Sequence, residues 1–300
     1  MKIVEEQLHG VRHFGMDLIK RVGEADLPGL SAEMSYRFLF ALFPFILFIV
    51  ALAGFFGSEE MALTVVARMR ETMPEQAAAI LAGPVQQVIT TQRADLLSIG
   101  AIAGLWGASG VMGTIMKGMN RTHQVTDNRN FLVKNVVKVG LTLFLAVLLL
   151  LAVAAVFVAQ VVVASFGIFG LGPFQATLTS IAGPLVALLI LIFGVSIIYW
   201  KAPAVEYQPF KLITLGAVVF AVGWVVATVL FSWYVSQFGR YNQLYGSIGG
   251  VIVLLLWAYL SSFLLLLGAA LNAVLEERLQ ARVPLRRDAQ GEERRGREPC

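Results

Sequence analysis

Long uncharged stretches alternate with short charged ones, and this alternation is the dominant pattern of the chain. From Val139 to Trp200 no residue is charged, a run of 62 closed by Lys138 and Lys201. One helical crossing of a bilayer takes about 20 apolar residues, so the run is long enough for two. Gly167-Ile168-Phe169-Gly170-Leu171-Gly172-Pro173 interrupts it and predicts an uncharged turn. Six segments pass the same test: Tyr36–Phe56, Leu96–Met116, Val136–Ala164, Leu178–Trp200, Leu212–Ser236 and Ser247–Val274. In lipid a helix satisfies its own backbone groups, whereas a membrane barrel needs roughly ten-residue segments of alternating polarity. That alternation is missing. The expected fold is all-α: a polytopic integral membrane protein with six transmembrane helices.

The remaining segments arrange themselves around this bundle. Residues 1–34 predict an amphipathic N-terminal helix on the inner surface. Val4, Leu8, Val11, Gly15, Leu18, Ile19 and Val22 recur at helical spacing, and Lys2, Arg12, Lys20 and Arg21 lie elsewhere on the wheel. Residues 35–275 form the membrane domain. Within it, 57–95 is too long for a plain connector and predicts two interfacial helices hinged near Pro74. Residues 276–300 form a basic tail whose composition, from Pro284 on, predicts disorder.

Lysine and arginine orient the bundle, because cytoplasmic loops carry an excess of both. With both termini inside, 19 basic residues face the cytoplasm and only four, Arg68, Arg70, Arg93 and Arg240, lie outside. The expected location is the bacterial inner membrane. Composition agrees: 58% of residues are hydrophobic and 14% charged, with a mean hydropathy of +0.76, against about 25% charged in a soluble domain. A net charge of +4 gives no case for nucleic acid. The single cysteine, Cys300, excludes a disulfide framework or a cysteine metal site. No cofactor is expected.

Gly107-Ala108-Ser109-Gly110 in the second span has the look of an intramembrane serine protease. That chemistry needs a histidine at membrane depth, and His9, His13 and His123 all lie outside the spans. Gly100, Gly104, Gly107, Gly110 and Gly113 instead predict close helix packing. Arg37 opens the first span and has three readings: a snorkelling anchor, a partner of Glu33 one turn earlier, or a contact for an anionic substrate. Pro44 predicts a kink seven residues on. Thr228 and Ser232, with Ser236, make a weakly polar stripe suited to interhelical hydrogen bonds or a hydrated path; Asn272 sits similarly in the sixth span. Arg240 lies among Tyr234, Tyr241 and Tyr245, as an aromatic belt or an anion collar. Arg37, Pro44, Asn120, Thr228, Ser232, Arg240, Tyr245 and Asn272 are therefore the candidate substrate path. Helices three and four, almost free of polar side chains, are expected to be lipid-facing structure.

Several blocks resemble the YihY/BrkB family of bacterial inner-membrane proteins. Leu39-Phe40-Ala41-Leu42-Phe43-Pro44 is similar to its F-S-L-F-P signature, with Ala41 where the family often has serine. Trp106-Gly107-Ala108-Ser109 followed by Met119-Asn120-Arg121 resembles a second block. Gly223-Trp224, Tyr245-Gly246-Ser247, Leu256-Trp257-Ala258-Tyr259 and Gly268-Ala269-Ala270-Leu271-Asn272-Ala273 resemble the third. The resemblance, over roughly Ser31 to Glu277, implies fold and location. It also brings an old label, ribonuclease BN, regarded as a misassignment. A ribonuclease needs clustered His, Asp or Glu groups, and the six spans contain no Asp or Glu. Some members are linked to export of lipid or ions. The expected function is transport or export of a lipid-like, anionic or ionic solute, with membrane lipids and a second copy of the chain as partners. The alternative is a non-transporting scaffold or partner-binding protein; ribonuclease and intramembrane protease are rejected.

Overall fold

The computed structural model describes residues 2–56, 94–165, 172–205, 211–237 and 242–295. The interfacial helices expected in 57–95 therefore lie outside the described residues, as does Arg240. The described residues form seven helices: α1 (Lys2–Glu24), α2 (Leu27–Phe56), α3 (Ala94–Thr122), α4 (Phe131–Ser165), α5 (Gly172–Lys201), α6 (Leu215–Gln237) and α7 (Asn242–Arg295). Among these residues five stretches are long and apolar enough to cross a membrane: Ser98–Thr122, Phe131–Ala152, Ile181–Lys201, Leu215–Ser236 and Gly249–Leu279.

Polar residues start the helices at the end where the lysines and arginines gather. Asp26 turns the chain from α1 into α2 at a φ of 54°, and its carboxylate accepts the Gly29 amide at 3.2 Å. Asn130 accepts the Val133 amide at 2.8 Å to start α4. Thr214 accepts the Ala217 amide at 3.2 Å to start α6. Short polar side chains serve well there because the first-turn amides have no partner inside the helix. The first expected span thus belongs to a helix that begins nine residues earlier, at Leu27, and continues through Pro44.

Neighbours pair as α2 with α3, α4 with α5, and α6 with α7, while α7 also packs on α1, α2 and α3. The core gathers near the basic end. Leu27, Leu30, Met112, Met116, Met119, Ile198, Tyr199, Ala217, Leu266, Ala269 and Ala270 are all buried there. Farther along, Ile99, Ile102, Trp106, Val229, Leu230, Trp233 and Ile252 are exposed, as lipid-facing side chains should be.

Two helix contacts are close, and the second leaves no room for a side chain. In α3, a Cβ on Gly107 would lie 3.0 Å from Ala41 Cα, and one on Gly104 would meet the Pro44-Phe45 backbone at 3.7 to 3.8 Å. The glycine face predicted for packing therefore seats α2, and Ala41 is the residue beneath it. At the α6–α7 crossing, a Cβ on Gly216 would collide with the Gly268 carbonyl, and one on Gly268 with the Tyr199 hydroxyl.

In α1, two residues lie off the faces expected for them. Leu18 and Val22 pack against the bundle core, Ile19 is exposed, and Arg21, expected on the polar face, is buried. Arg21 donates to the Thr122 carbonyl at 2.7 Å and to Glu277 at 2.6 Å. Arg278 pairs with Asp17 and stacks over Phe14. The ion pairs draw this end of α1 onto α7. The backbone of α7 is helical as far as Arg295, through a segment whose composition predicts disorder; its Arg, Glu, Ala and Leu are good helix formers.

Gly268→Ala is expected to lower thermal stability in detergent by about 1–3 kcal/mol, the usual cost of overpacking. Gly140→Ala, where a Cβ meets nothing within 4 Å, is the control and should stay within about 0.5 kcal/mol of the parent.

Candidate functional site

The glycine face of α3 changes use along its length. Gly104 and Gly107 are filled by the α2 backbone. Opposite Gly110 and Gly113 the helices part, and cationic side chains occupy the space. A Cβ on Gly110 would lie 3.6 Å from the Arg37 guanidinium, and one on Gly113 would lie 3.4 Å from Lys138 Cδ. The result is a pocket of about 280 Å³ between α2, α3 and α4, lined by Glu33, Arg37, Gly110, Gly113, Thr114, Lys117 and Lys138. A second pocket of about 340 Å³ shares Gly113 and Lys117 with it and adds Asn120, Arg121, Asp127 and Lys134. Together they line a groove with five cations and two carboxylates.

Glu33 organises the upper part. It takes Arg37 at 3.0 Å and Lys117 at 2.8 Å, and accepts the Thr114 hydroxyl at 3.2 Å. The hydrogen bond from Lys117 holds its carboxyl below the usual glutamate range, with Arg37 adding to the effect against a partial burial that works the other way. Lys138 has no carboxylate partner among the described residues. Asp127 organises the lower part. Burial pushes its carboxyl up, but hydrogen bonds from the Arg129 side chain and amide and from Lys134 outweigh that, and the net effect is downward. One carboxylate shared between cations leaves positive charge over, and that excess attracts anions.

The sequence is assigned by its match to a known family: the model for virulence factor BrkB covers residues 18–293. The chain belongs to the BrkB family. It is 33% identical over 250 residues to the ribonuclease-like protein YfkH of Bacillus subtilis, spanning 83% of this chain and 90% of that one. A UPF0761 membrane protein of Tolumonas auensis is 33% identical over 102 residues, a third of either chain. One from Idiomarina loihiensis is 37% identical over 68 residues, 23% of this chain and 24% of its own. No solved structure matches.

Within this BrkB protein the candidate path does not come together as one site. Arg37 lies in the upper pocket and Asn120 in the lower. Asn120 is also 7% exposed and built into the fold: its Oδ1 accepts the Ala204 amide at 2.7 Å, and its Nδ2 lies 3.4 Å from Asp127. Pro44 lies against Gly104. Thr228 donates to the Trp224 carbonyl at 2.7 Å and Ser232 to the Thr228 carbonyl at 2.8 Å. The stripe thus satisfies its own helix. Asn272 is buried and accepts the Gly216 amide at 2.8 Å. The Tyr245 side chain lies outside the described residues. Ser109 donates to the Trp106 carbonyl at 2.9 Å, an ordinary helix hydroxyl.

Lys117, Lys138 and Thr114 were missed as groove residues because they come from separate turns of α3 and α4. The readable signal was the pairing of Glu33 with Arg37 at i, i+4.

Asp127→Asn is expected to destabilise the fold by about 1–3 kcal/mol by stranding Arg129 and Lys134. The carboxyl of Asp127 is lowered in the fold, so its contribution is full above the unfolded value of about 3.9 and fades as pH falls toward the folded value. Thermal melts from pH 7 to pH 3 should show a shallower acid loss in the variant than in the parent.

Proposed function

We propose that this protein sits in the bacterial inner membrane with six crossings and both termini in the cytoplasm, and moves an anionic, lipid-like solute along the groove between α2, α3 and α4. Tyr36–Phe56 supplies the sixth crossing: α2 is helical throughout it, and no charge follows Arg37. The observation that carries the reading is the groove's excess of cations, Arg37, Lys117, Arg121, Lys134 and Lys138 against Glu33 and Asp127, on the flank of an apolar bundle. The bundle's interior at that end is filled by Met112, Met116, Met119 and Tyr199, which favours a route on the flank over one through the middle. A solute with an anionic head and an apolar body fits such a flank: the head meets the cations while the body remains in lipid.

A scaffold reading rests on a different observation. α1 is ion-paired to α7 through Arg21–Glu277 and Asp17–Arg278, a firm platform on which partners could assemble. The word ribonuclease in the name of YfkH belongs to that protein, and the reading proposed for this chain is not enzymatic.

The test is movement of fluorescent phosphatidylglycerol between leaflets of liposomes holding the purified protein. The combined variant Arg37→Gln, Lys117→Gln, Lys138→Gln should slow it at least about tenfold, the equivalent of one lost charge-assisted hydrogen bond. Thr228→Val should leave the rate unchanged. A parent protein no faster than empty liposomes, across anionic lipids and ions, overturns the transport reading.

A further inference from the structure

His123, just past the end of α3, is a buried titratable group outside the groove. Its Nδ1 lies 2.9 Å from the Met119 carbonyl oxygen. A carbonyl only accepts, so the neutral ring carries its proton on Nδ1 and leaves Nε2 as an acceptor. Nε2 is buried and has no hydrogen-bond partner among the described residues. The Glu276 carboxylate lies 3.9 Å from it. At neutral pH an acceptor thus faces an acceptor. One more proton turns the same two groups into a cation beside an anion.

The surrounding charges come from three elements. α7 contributes Glu276 and Glu277, and α1 contributes Arg21, which is tied to Glu277 and to the Thr122 carbonyl. The segment before α6 contributes Lys211, whose Nζ lies 3.7 Å from Glu276. Farther out, Glu24 accepts Gln124 and pairs with Lys20, and Asp17 pairs with Arg278. A pocket of about 480 Å³ lined by Arg21, His123, Lys211, Glu276 and Glu277 gives protons a way in. Glu276 therefore stands between two bases, Lys211 already charged and His123 not yet.

We propose that His123 and Glu276 form a proton-operated latch: a proton taken up at Nε2 draws Glu276 from Lys211 to His123, and moves one tie of α7 from the α5–α6 link to the end of α3. Burial lowers the proton affinity of His123, and the Met119 carbonyl and Glu276 only partly offset it. The latch therefore turns below neutral pH. The folded state binds this proton less readily than the unfolded chain, so the fold keeps its full stability above the ordinary histidine value of about 6.5 and loses some as pH falls below it. The latch stands apart from the transport reading and needs no substrate.

With three histidines in the chain, ring Cε1–H titration by NMR in nanodiscs separates them. One midpoint should lie below the ordinary histidine value, vanish in His123→Asn, and fall further in Glu276→Gln, where the nearby anion is gone. Hydrogen exchange of 211–216, corrected for intrinsic rates, should quicken at pH 5.5 in the parent and stay flat in Glu276→Gln. A His123 midpoint that does not move in Glu276→Gln, or the same acid-driven exchange in Glu276→Gln, overturns the latch. If His123→Asn does not fold, the Glu276→Gln pair of readouts decides alone.

Discussion

A backbone amide or carbonyl that leaves a helix and is buried in protein must find a partner there, and the basic end of this bundle is organised around that constraint. The α5–α6 link is where it bites. Its amide at Ala204 goes to Asn120 from α3, and the Gly216 amide goes to Asn272 from α7. The Ala202 carbonyl takes Arg129 at 2.8 Å. Beside it, Tyr199 donates to the Leu265 carbonyl at 2.6 Å. A single link is thus bonded by side chains from α3, α7 and the α3–α4 turn, so these elements hold one another in place. The close α6–α7 crossing at Gly216 and Gly268 follows from the same geometry, because Asn272 reaches the Gly216 amide only when the two helices nearly touch.

This arrangement explains why the blocks that resemble the BrkB family sit where they do. Met119-Asn120 and Gly268-Ala269-Ala270 with Asn272 are the buried caps and small residues of the junction. Of these only Asn120 reaches the groove, where it lines the lower pocket beside Asp127. The groove arises at the edge of that junction, where the glycine row of α3 passes from the α2 backbone at Gly104 and Gly107 to the side chains of Arg37 and Lys138 at Gly110 and Gly113. Packing and charge are two ends of one glycine face.

Much of the architecture was legible in the sequence because lipid imposes a one-dimensional rule. A span must be apolar for about 20 residues, and charges collect between spans. The uncharged run from Val139 to Trp200 accordingly corresponds to α4 and α5, whose outer faces, with Leu149, Leu150, Leu185 and Leu189, are exposed. Other assignments depended on partners far away in the chain. Asn120 and Asn272 read as polar residues near a path, and only the fold shows the amides they accept. Thr228 and Ser232 read as a stripe between helices, yet each bonds the carbonyl four residues back.

The sequence by itself determined the helical class, five of the apolar spans, the basic end and the glycine face, because each depends on periodicity and composition along one segment. Only the tertiary structure decided that Lys117 joins the Glu33–Arg37 pair, that Arg21 is buried between α1, α3 and α7, and that His123 faces Glu276. Those contacts join residues 84 to 256 positions apart, and no local pattern encodes a distance across the bundle.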